Sequence, residues 1–117
     1  MRVRILVAEN DPFFLDSVVF FLNGEGYDVT TAQSPEEALQ LLADEDFDLV
    51  LTDKRLINDR ASWDSSGLAV YRAAVERGIP AILCTGSIGK LPADIVVLQK
   101  VRFSKEIEGK IEELLSG

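Results

Sequence analysis

Short apolar runs alternate along the chain with segments in which apolar residues recur at helical spacing. Continuous apolar runs this short, with turn residues around them, are typical of strands in a parallel sheet that is covered on both faces. Strands are predicted at residues 3–8, 27–32, 47–52, 81–84 and 95–99. The segments between most of these strands have the periodicity of amphipathic helices.

Capping residues mark where the helices begin. Asp11 is placed to cap the first helix, and the segment 34–37, with the sequence Ser-Pro-Glu-Glu, is a capping box for the second. A third helix is predicted from residue 67 to about 77, and Ser104 is predicted to cap the last one. The segment 86–94 is too short for a full helix, so the fourth helix of the pattern is expected to be shortened or missing.

The alternation of strands and helices predicts an α/β fold with helices on both faces of the sheet. We expect a doubly wound, five-stranded parallel sheet in the order 2-1-3-4-5. In this order the carboxyl ends of the first and third strands are neighbours, and ligands bind at that edge. Residues 1–117 are expected to form one domain without an output domain, because this length buries a core without disulfides and stops soon after the last helix.

Charge and composition exclude several classes of protein. The chain has 20 acidic and 12 basic residues, whereas binding to nucleic-acid phosphates requires clustered Lys and Arg, so no nucleic-acid partner is expected. The single cysteine, Cys84, lies within an apolar run and has no partner for an internal disulfide, which is typical of a cytoplasmic protein. No apolar stretch reaches membrane-spanning length, so no membrane partner is expected.

Polar residues stand where four of the predicted strands end. Glu9 and Asn10 follow the first strand, and Asp53 follows the third. Thr85 and Lys100 follow the fourth and fifth strands. Carboxylates packed together at strand ends are destabilising unless a cation accompanies them. The pattern therefore predicts a functional site at this edge of the sheet.

This constellation resembles the receiver domain of bacterial two-component response regulators, which has a flavodoxin-like fold. Residues 5–12 are similar to the first strand and acidic pair of the family, and residues 47–53 to the segment that leads to its phosphorylated aspartate. Residues 80–86 and 97–100 are similar to the strands that end in its switch Thr or Ser and in its lysine. The turn at 84–86 and the short connection after it partly resemble a single-domain subgroup nicknamed FAT GUY.

The resemblance implies that Asp53 accepts a phosphoryl group from a phosphohistidine on a histidine kinase or a histidine phosphotransfer protein. It implies a Mg²⁺ cofactor, since a hard cation with oxygen ligands neutralises charge around the phosphoryl group. The implied metal ligands are Glu9, Asn10, Asp53 and the backbone carbonyl of Arg55. Lys100 would pair with one phosphoryl oxygen and Thr85 with another, and the movement of Thr85 would switch contacts with a downstream protein partner. Such a domain signals, and it catalyses only its own phosphorylation and slow dephosphorylation.

Departures from the family leave an alternative open. Asn10 stands where the family has a second acid, and Val97 occupies the usual aromatic switch position. Val101 replaces the proline after the lysine, so a cis peptide bond is not expected there. These residues favour a pseudo-receiver, a protein-interaction module that acts without phosphorylation, whereas the strand-end residues together oppose it. An aspartate-based phosphatase would need an acid where Arg55 stands, and a flavin or nucleotide protein would need a phosphate-binding loop after the first strand.

Overall fold

Five strands form a parallel sheet in the computed structural model, which describes residues 2–53, 66–86 and 94–116. They are β1 (Arg4–Ala8), β2 (Asp28–Ala32), β3 (Leu49–Asp53), β4 (Ala81–Thr85) and β5 (Val97–Gln99). Their order is β2-β1-β3-β4-β5, and every pairing is parallel. The predicted sheet is therefore confirmed. Every residue of β3 and β4 is buried, as expected for central strands that are covered on both faces.

Four α-helices cover the sheet within the described residues. They are α1 (Pro12–Gly24), α2 (Pro35–Asp44), α3 (Ser66–Glu76) and α4 (Phe103–Ser116). On one face Val18 of α1 and Ile107 of α4 belong to the same buried cluster. On the other face Leu42 of α2 and Val70 of α3 belong to a second cluster. Because helices pack on both faces, the prediction of a doubly wound sheet is confirmed.

The first two helices begin where the sequence predicts. The Asp11 side chain accepts a hydrogen bond from the backbone N–H of Phe13 at 3.1 Å and so caps α1. The Ser34 side chain accepts one from the backbone N–H of Glu37 at 3.1 Å and caps α2. Each bond satisfies a backbone donor that has no partner within its own helix. Both helix starts are therefore fixed locally.

The last helix begins differently from the prediction. Ser104 does not cap it, because the chain passes from β5 through a 3₁₀ turn (Lys100–Arg102) directly into α4, and Ser104 lies within that helix. Phe103 is buried at the helix start, and its ring makes edge-on contacts with the rings of Phe14 and Phe21 on α1. The helix start therefore coincides with a buried aromatic ring and not with the Ser104 hydroxyl.

Other expectations lie partly or wholly outside the described residues. The shortened fourth helix concerns residues 87–93, and the backbone ligand Arg55 belongs to residues 54–65; both ranges fall outside the described part of the chain. No peptide bond among the described residues is cis, in agreement with the expectation at Val101. None of the helices described is both long enough and apolar enough to cross a membrane.

Candidate functional site at the carboxyl edge of the sheet

Strand register brings the two acids of the predicted site together. Ala8 of β1 pairs with Thr52 of β3, so the next residues along, Glu9 and Asp53, occupy neighbouring positions at the edge of the sheet. The backbone N–H of Glu9 also donates a hydrogen bond to the carbonyl of Ala32 at 2.9 Å, which continues the ladder with β2. Glu9 is 2% exposed and Asp53 is 9% exposed. Two carboxylates are thus placed side by side with little access to water.

The same register continues across the other half of the sheet. Asp53 pairs with Cys84, and the following residue, Thr85, is buried at the end of β4. Thr85 pairs with Gln99, and Lys100 follows as the first residue of the 3₁₀ turn. The carboxyl ends of β1, β3, β4 and β5 therefore present Glu9, Asp53, Thr85 and Lys100 at one edge, and we call these four residues the strand-end site.

The ammonium group of Lys100 lies between the two acids. Its Nζ is 3.0 Å from Oε1 of Glu9, a hydrogen-bonded ion pair, and 3.5 Å from Oδ1 of Asp53. The Lys100 side chain is itself mostly buried. Because ion pairs away from bulk water are only weakly screened, this geometry holds the three charged groups in a fixed arrangement.

The loop after β1 contains two further polar residues, Asn10 and Asp11, which follow Glu9. Asn10 lies in the bend between β1 and α1 and is partly exposed. The backbone N–H of Asp11 donates a hydrogen bond to Oε1 of Glu9 at 3.1 Å, while its side chain caps α1. Asp11 thus orients the Glu9 carboxylate and starts the helix. Asn10 follows Glu9 directly, and a side-chain amide oxygen is one of the groups that can coordinate a hard cation.

Burial raises the pKa of Glu9, and the negative charge of Asp53 raises it further, from the ordinary 4.5 to about 7. The hydrogen bonds that Glu9 accepts from Lys100 and from the backbone of Asp11 lower the pKa, but they do not cancel the two larger effects. Paired carboxylates that share one cation are therefore costly to ionise together. A further positive charge at the site would relieve this cost.

Lys100 stays protonated in this environment. Burial alone would lower the pKa of its ammonium, but the hydrogen bond to Glu9 and the charges of Asp53 and Glu9 outweigh burial and raise the pKa. On the neighbouring strand, where Cys84 pairs with Asp53, burial raises the pKa of the Cys84 thiol, as do the charges of Glu9 and Asp53. The thiol therefore remains protonated, and Cys84 is a buried residue of the core, as its position within an apolar run indicates.

The donor set at this edge fits a small, hard divalent cation. Mg²⁺ in proteins is held by one or two carboxylates together with retained waters and substrate phosphate oxygens, rather than by a full cage of side chains. Glu9 and Asp53 supply two carboxylates against one ammonium, which leaves an excess of negative charge. In the described ranges, no three His, Cys, Asp or Glu side chains gather into a larger metal-binding group. The chemistry of the pair therefore suits Mg²⁺ better than a metal that requires several protein ligands.

One participant in this arrangement was not expected from the sequence. The ring of Phe14, on the first turn of α1, lies under the Lys100 ammonium, with Nζ 4.7 Å from the ring centroid. In the sequence Phe14 is only one member of an apolar helix face, which predicts a core residue. No sequence signal links it to Lys100, because the contact depends on how the turn after β5 packs against α1.

Comparison with known proteins identifies the family. The family model described as the response regulator receiver domain matches residues 5–99. The chain therefore belongs to the response regulator receiver domains of two-component systems. Among solved structures it is similar to the response regulator TrrA from Thermotoga maritima in complex with Mg²⁺-BeF, with 28% identity, a TM-score of 0.81, and coverage of 98% of this chain and 100% of that one.

A receiver protein from Sinorhizobium medicae shares the fold, with 24% identity, a TM-score of 0.82, and coverage of 99% of this chain and 96% of that chain. A curated relative, the transcriptional regulatory protein GlrR of Escherichia coli K12, is 33% identical over 101 residues, which are 86% of this chain but 22% of that protein. The chain thus spans about a fifth of this relative. Because the relative is a transcriptional regulator, the expectation of no nucleic-acid partner is not supported.

Proposed function

We propose that this domain is a phosphoacceptor of a two-component phosphorelay in which Asp53 receives a phosphoryl group from a phosphohistidine on a histidine kinase or histidine phosphotransfer protein. The observation that carries the proposal is the Lys100 ammonium lying between the buried carboxylates of Glu9 and Asp53. A purely structural sheet edge has no reason to bury two acids and a lysine together. A phosphoryl acceptor needs a carboxylate nucleophile with positive charge beside it.

In the proposed step a carboxylate oxygen of Asp53 attacks the phosphorus atom. A new O–P bond forms while the P–N bond to the partner's histidine breaks, and its electron pair leaves with the imidazole, which takes a proton from solvent. Lys100 pairs with a phosphoryl oxygen, and the Thr85 hydroxyl donates a hydrogen bond to another. Thr85 ends the strand next to that of Asp53, and the Lys100 Nζ lies 3.5 Å from the Asp53 carboxylate, so both residues are placed to stabilise negative charge on the transferred phosphoryl oxygens.

Mg²⁺, when bound, neutralises charge on the phosphoryl oxygens and so lets the carboxylate approach them. Glu9, Asn10, Asp53 and the backbone carbonyl of Arg55 are the residues that we propose to hold it. We propose that Glu9 contacts Mg²⁺ through a water molecule, because the backbone N–H of Asp11 and the ammonium of Lys100 already occupy its Oε1. Asn10 contributes an oxygen without a charge, so we infer weaker binding of Mg²⁺ than two acids would give.

The surface beside the strand-end site is suited to a protein donor. Phe13 and Phe20 stand seven residues apart on one side of α1, and they are 85% and 84% exposed. Val101, next to Lys100, is also highly exposed. The contact between Phe14 and Phe103 places the turn that carries Val101 beside the start of α1. Exposed apolar side chains of this size are typical of protein–protein contacts, and here they lie on the helix that follows β1 and the turn that follows β5, the two segments next to Glu9 and Lys100.

Mass spectrometry after incubation with Mg²⁺ and acetyl phosphate tests the proposal. We expect the chain to gain the mass of one phosphoryl group, and the gain to be lost in Asp53→Asn. Asp16→Asn, which removes an exposed aspartate of α1, is the matched control and should be modified like the parent. A parent that gains no mass, even at saturating Mg²⁺, would favour the pseudo-receiver alternative to which Asn10 and Val97 point.

A further inference from the structure

The aromatic ring beneath Lys100 has no part in the proposed chemistry, yet it contacts a group that does. Phe14 belongs to the first turn of α1, and its ring centroid lies 4.7 Å from Nζ of Lys100. This distance is within the range in which an ammonium is attracted to the negative face of an aromatic ring. The same ammonium is 3.0 Å from Glu9 and 3.5 Å from Asp53. Lys100 is therefore held by two carboxylates and a ring.

The ring is in turn fixed by a second ring. Phe14 and Phe103 lie edge to face, with centroids 5.6 Å apart and planes at 80°. Phe103 makes a similar contact with Phe21, at 5.9 Å and 77°. Phe103 is buried at the start of α4, three residues after Lys100. The turn that carries Lys100 and the helix that carries Phe14 are thus joined through aromatic packing, so the ring has little freedom to move away from the ammonium.

The contacts of Lys100 with Glu9, Asp53 and Phe14 respond differently to metal binding and phosphorylation. A cation bound by Glu9 and Asp53 neutralises the charges that attract Lys100, and a phosphoryl group on Asp53 converts that carboxylate into an acyl phosphate, a mixed anhydride whose negative charge lies on the phosphoryl oxygens. The Phe14 ring is neither a metal ligand nor a phosphoryl acceptor, so its attraction for the ammonium is the same before and after these events. We infer that Phe14 is a positioning residue, which keeps the Lys100 ammonium over Asp53 while its two carboxylate partners are engaged by the cation and the phosphoryl group. This inference rests on the proposed function.

The same substitution at two positions of α1 distinguishes an effect on the position of Lys100 from a general loss of aromatic packing. Phe14→Leu removes the ring under Lys100 and the edge contact with Phe103, whereas Phe21→Leu removes only an edge contact with Phe103. We expect phosphorylation by acetyl phosphate and Mg²⁺ to slow about three- to tenfold in Phe14→Leu, the range for a cation–π contact at a partly buried site. Phe21→Leu should stay within about twofold of the parent, and Phe14→Tyr, which keeps the ring face, should restore the rate.

NMR of the unphosphorylated protein provides a readout that does not depend on catalysis. Protons of the Lys100 ε-methylene lie near the Phe14 ring and should be shifted upfield by its ring current in the parent, in Phe14→Tyr and in Phe21→Leu. The upfield shift should disappear in Phe14→Leu. Denaturation curves of the two leucine variants show how much stability each loses, so that a loss of packing is not mistaken for a loss of positioning.

The outcomes separate the inference from the function on which it rests. Equal rates in Phe14→Leu and Phe21→Leu, with a parent that is phosphorylated, would overturn the role of Phe14 alone. An ε-methylene signal that does not change in Phe14→Leu would also overturn it, whatever the rates. If the parent gains no phosphoryl group, the proposed function is wrong, and so is the inferred effect of Phe14 on the rate of phosphoryl transfer.

Discussion

Glu9 gives the strand-end site a measurable effect on stability. Its pKa is raised from 4.5 to about 7 by burial and by the charge of Asp53, whereas in the unfolded chain both influences are absent. The folded state therefore binds this proton more tightly than the unfolded state, and ionising Glu9 destabilises the fold. The penalty is absent below pH 4.5, grows between pH 4.5 and 7, and is complete above pH 7. At 1.36 kcal/mol for each pH unit it reaches about 3 kcal/mol.

The Glu9→Gln substitution removes this penalty while preserving the size of the side chain. At pH 7.5 we expect the variant to be more stable than the parent by about 1–3 kcal/mol, the lower figure allowing for poorer hydrogen bonds from Lys100 and the Asp11 N–H to the amide that replaces the carboxyl group. At pH 4.5 the two proteins should be nearly equal. Urea denaturation followed by circular dichroism, repeated from pH 4.5 to 8, measures the difference directly. The corresponding rise in Tm is about 4 °C for each kcal/mol in a domain of this size.

Two comparisons make the result decisive. Glu113→Gln removes an exposed acid of α4 and should follow the parent at every pH. On the proposed function, Mg²⁺ at ten times its dissociation constant should stabilise the parent by about 1.4 kcal/mol, and it should stabilise Glu9→Gln by less because one proposed ligand has lost its charge. If the stability difference between parent and Glu9→Gln does not change from pH 4.5 to 7.5, the raised pKa of Glu9 is wrong, and the electrostatic description of the site must be abandoned.

Other substitutions test separate parts of the description. Asn10→Asp adds a charged ligand and should tighten Mg²⁺ binding about tenfold in calorimetric titrations; unchanged affinity would remove Asn10 from the ligand set. Tyr71→Phe removes the hydroxyl that accepts a hydrogen bond from the backbone N–H of Val96 at 2.9 Å, and it should cost about 1–2 kcal/mol in urea denaturation. Phe20→Ser should slow phosphotransfer from a phosphorylated histidine phosphotransfer protein without slowing reaction with acetyl phosphate, whereas Leu39→Ser, on α2, should change neither rate.

Much of the fold was predictable because its determinants are local or periodic. The apolar runs predict the strands, and Asp11 and Ser34 mark the helix starts through hydrogen bonds that span two or three residues. The position of the strand-end site was also predictable from the apolar runs that mark the strands. In a parallel sheet of this order, residues just past the strands are brought together by register alone, as Glu9 and Asp53 are. The sequence therefore predicts which residues meet at the strand-end site.

What escaped prediction depends on packing between distant segments. Ser104 is a residue type that commonly caps helices, but α4 begins one residue before it, at Phe103, which is buried against α1. Arg4 forms an ion pair with Glu45 at 2.7 Å and lies over the ring of Phe47 at 5.0 Å, a cluster at the opposite edge of the sheet that no local pattern indicates. In both cases the contact depends on how a helix or loop packs on the sheet, and the periodicity of apolar residues does not predict that packing.

The charge balance of the strand-end site bears on whether Asn10 argues against phosphorylation. When both acids are ionised, Glu9 and Asp53 carry two negative charges, and Lys100 carries one positive charge. On the proposed function, Mg²⁺ adds two positive charges, and the phosphoryl group replaces the single charge of Asp53 with a doubly charged acyl phosphate. These charges sum to zero when residue 10 is neutral, whereas an acid at that position would leave the phosphorylated site negative. Because a buried site is most stable when its charges are balanced, the proposed function implies that Asn10 weakens the resting affinity for the cation but favours the phosphorylated state. The asparagine is therefore compatible with a working phosphoacceptor.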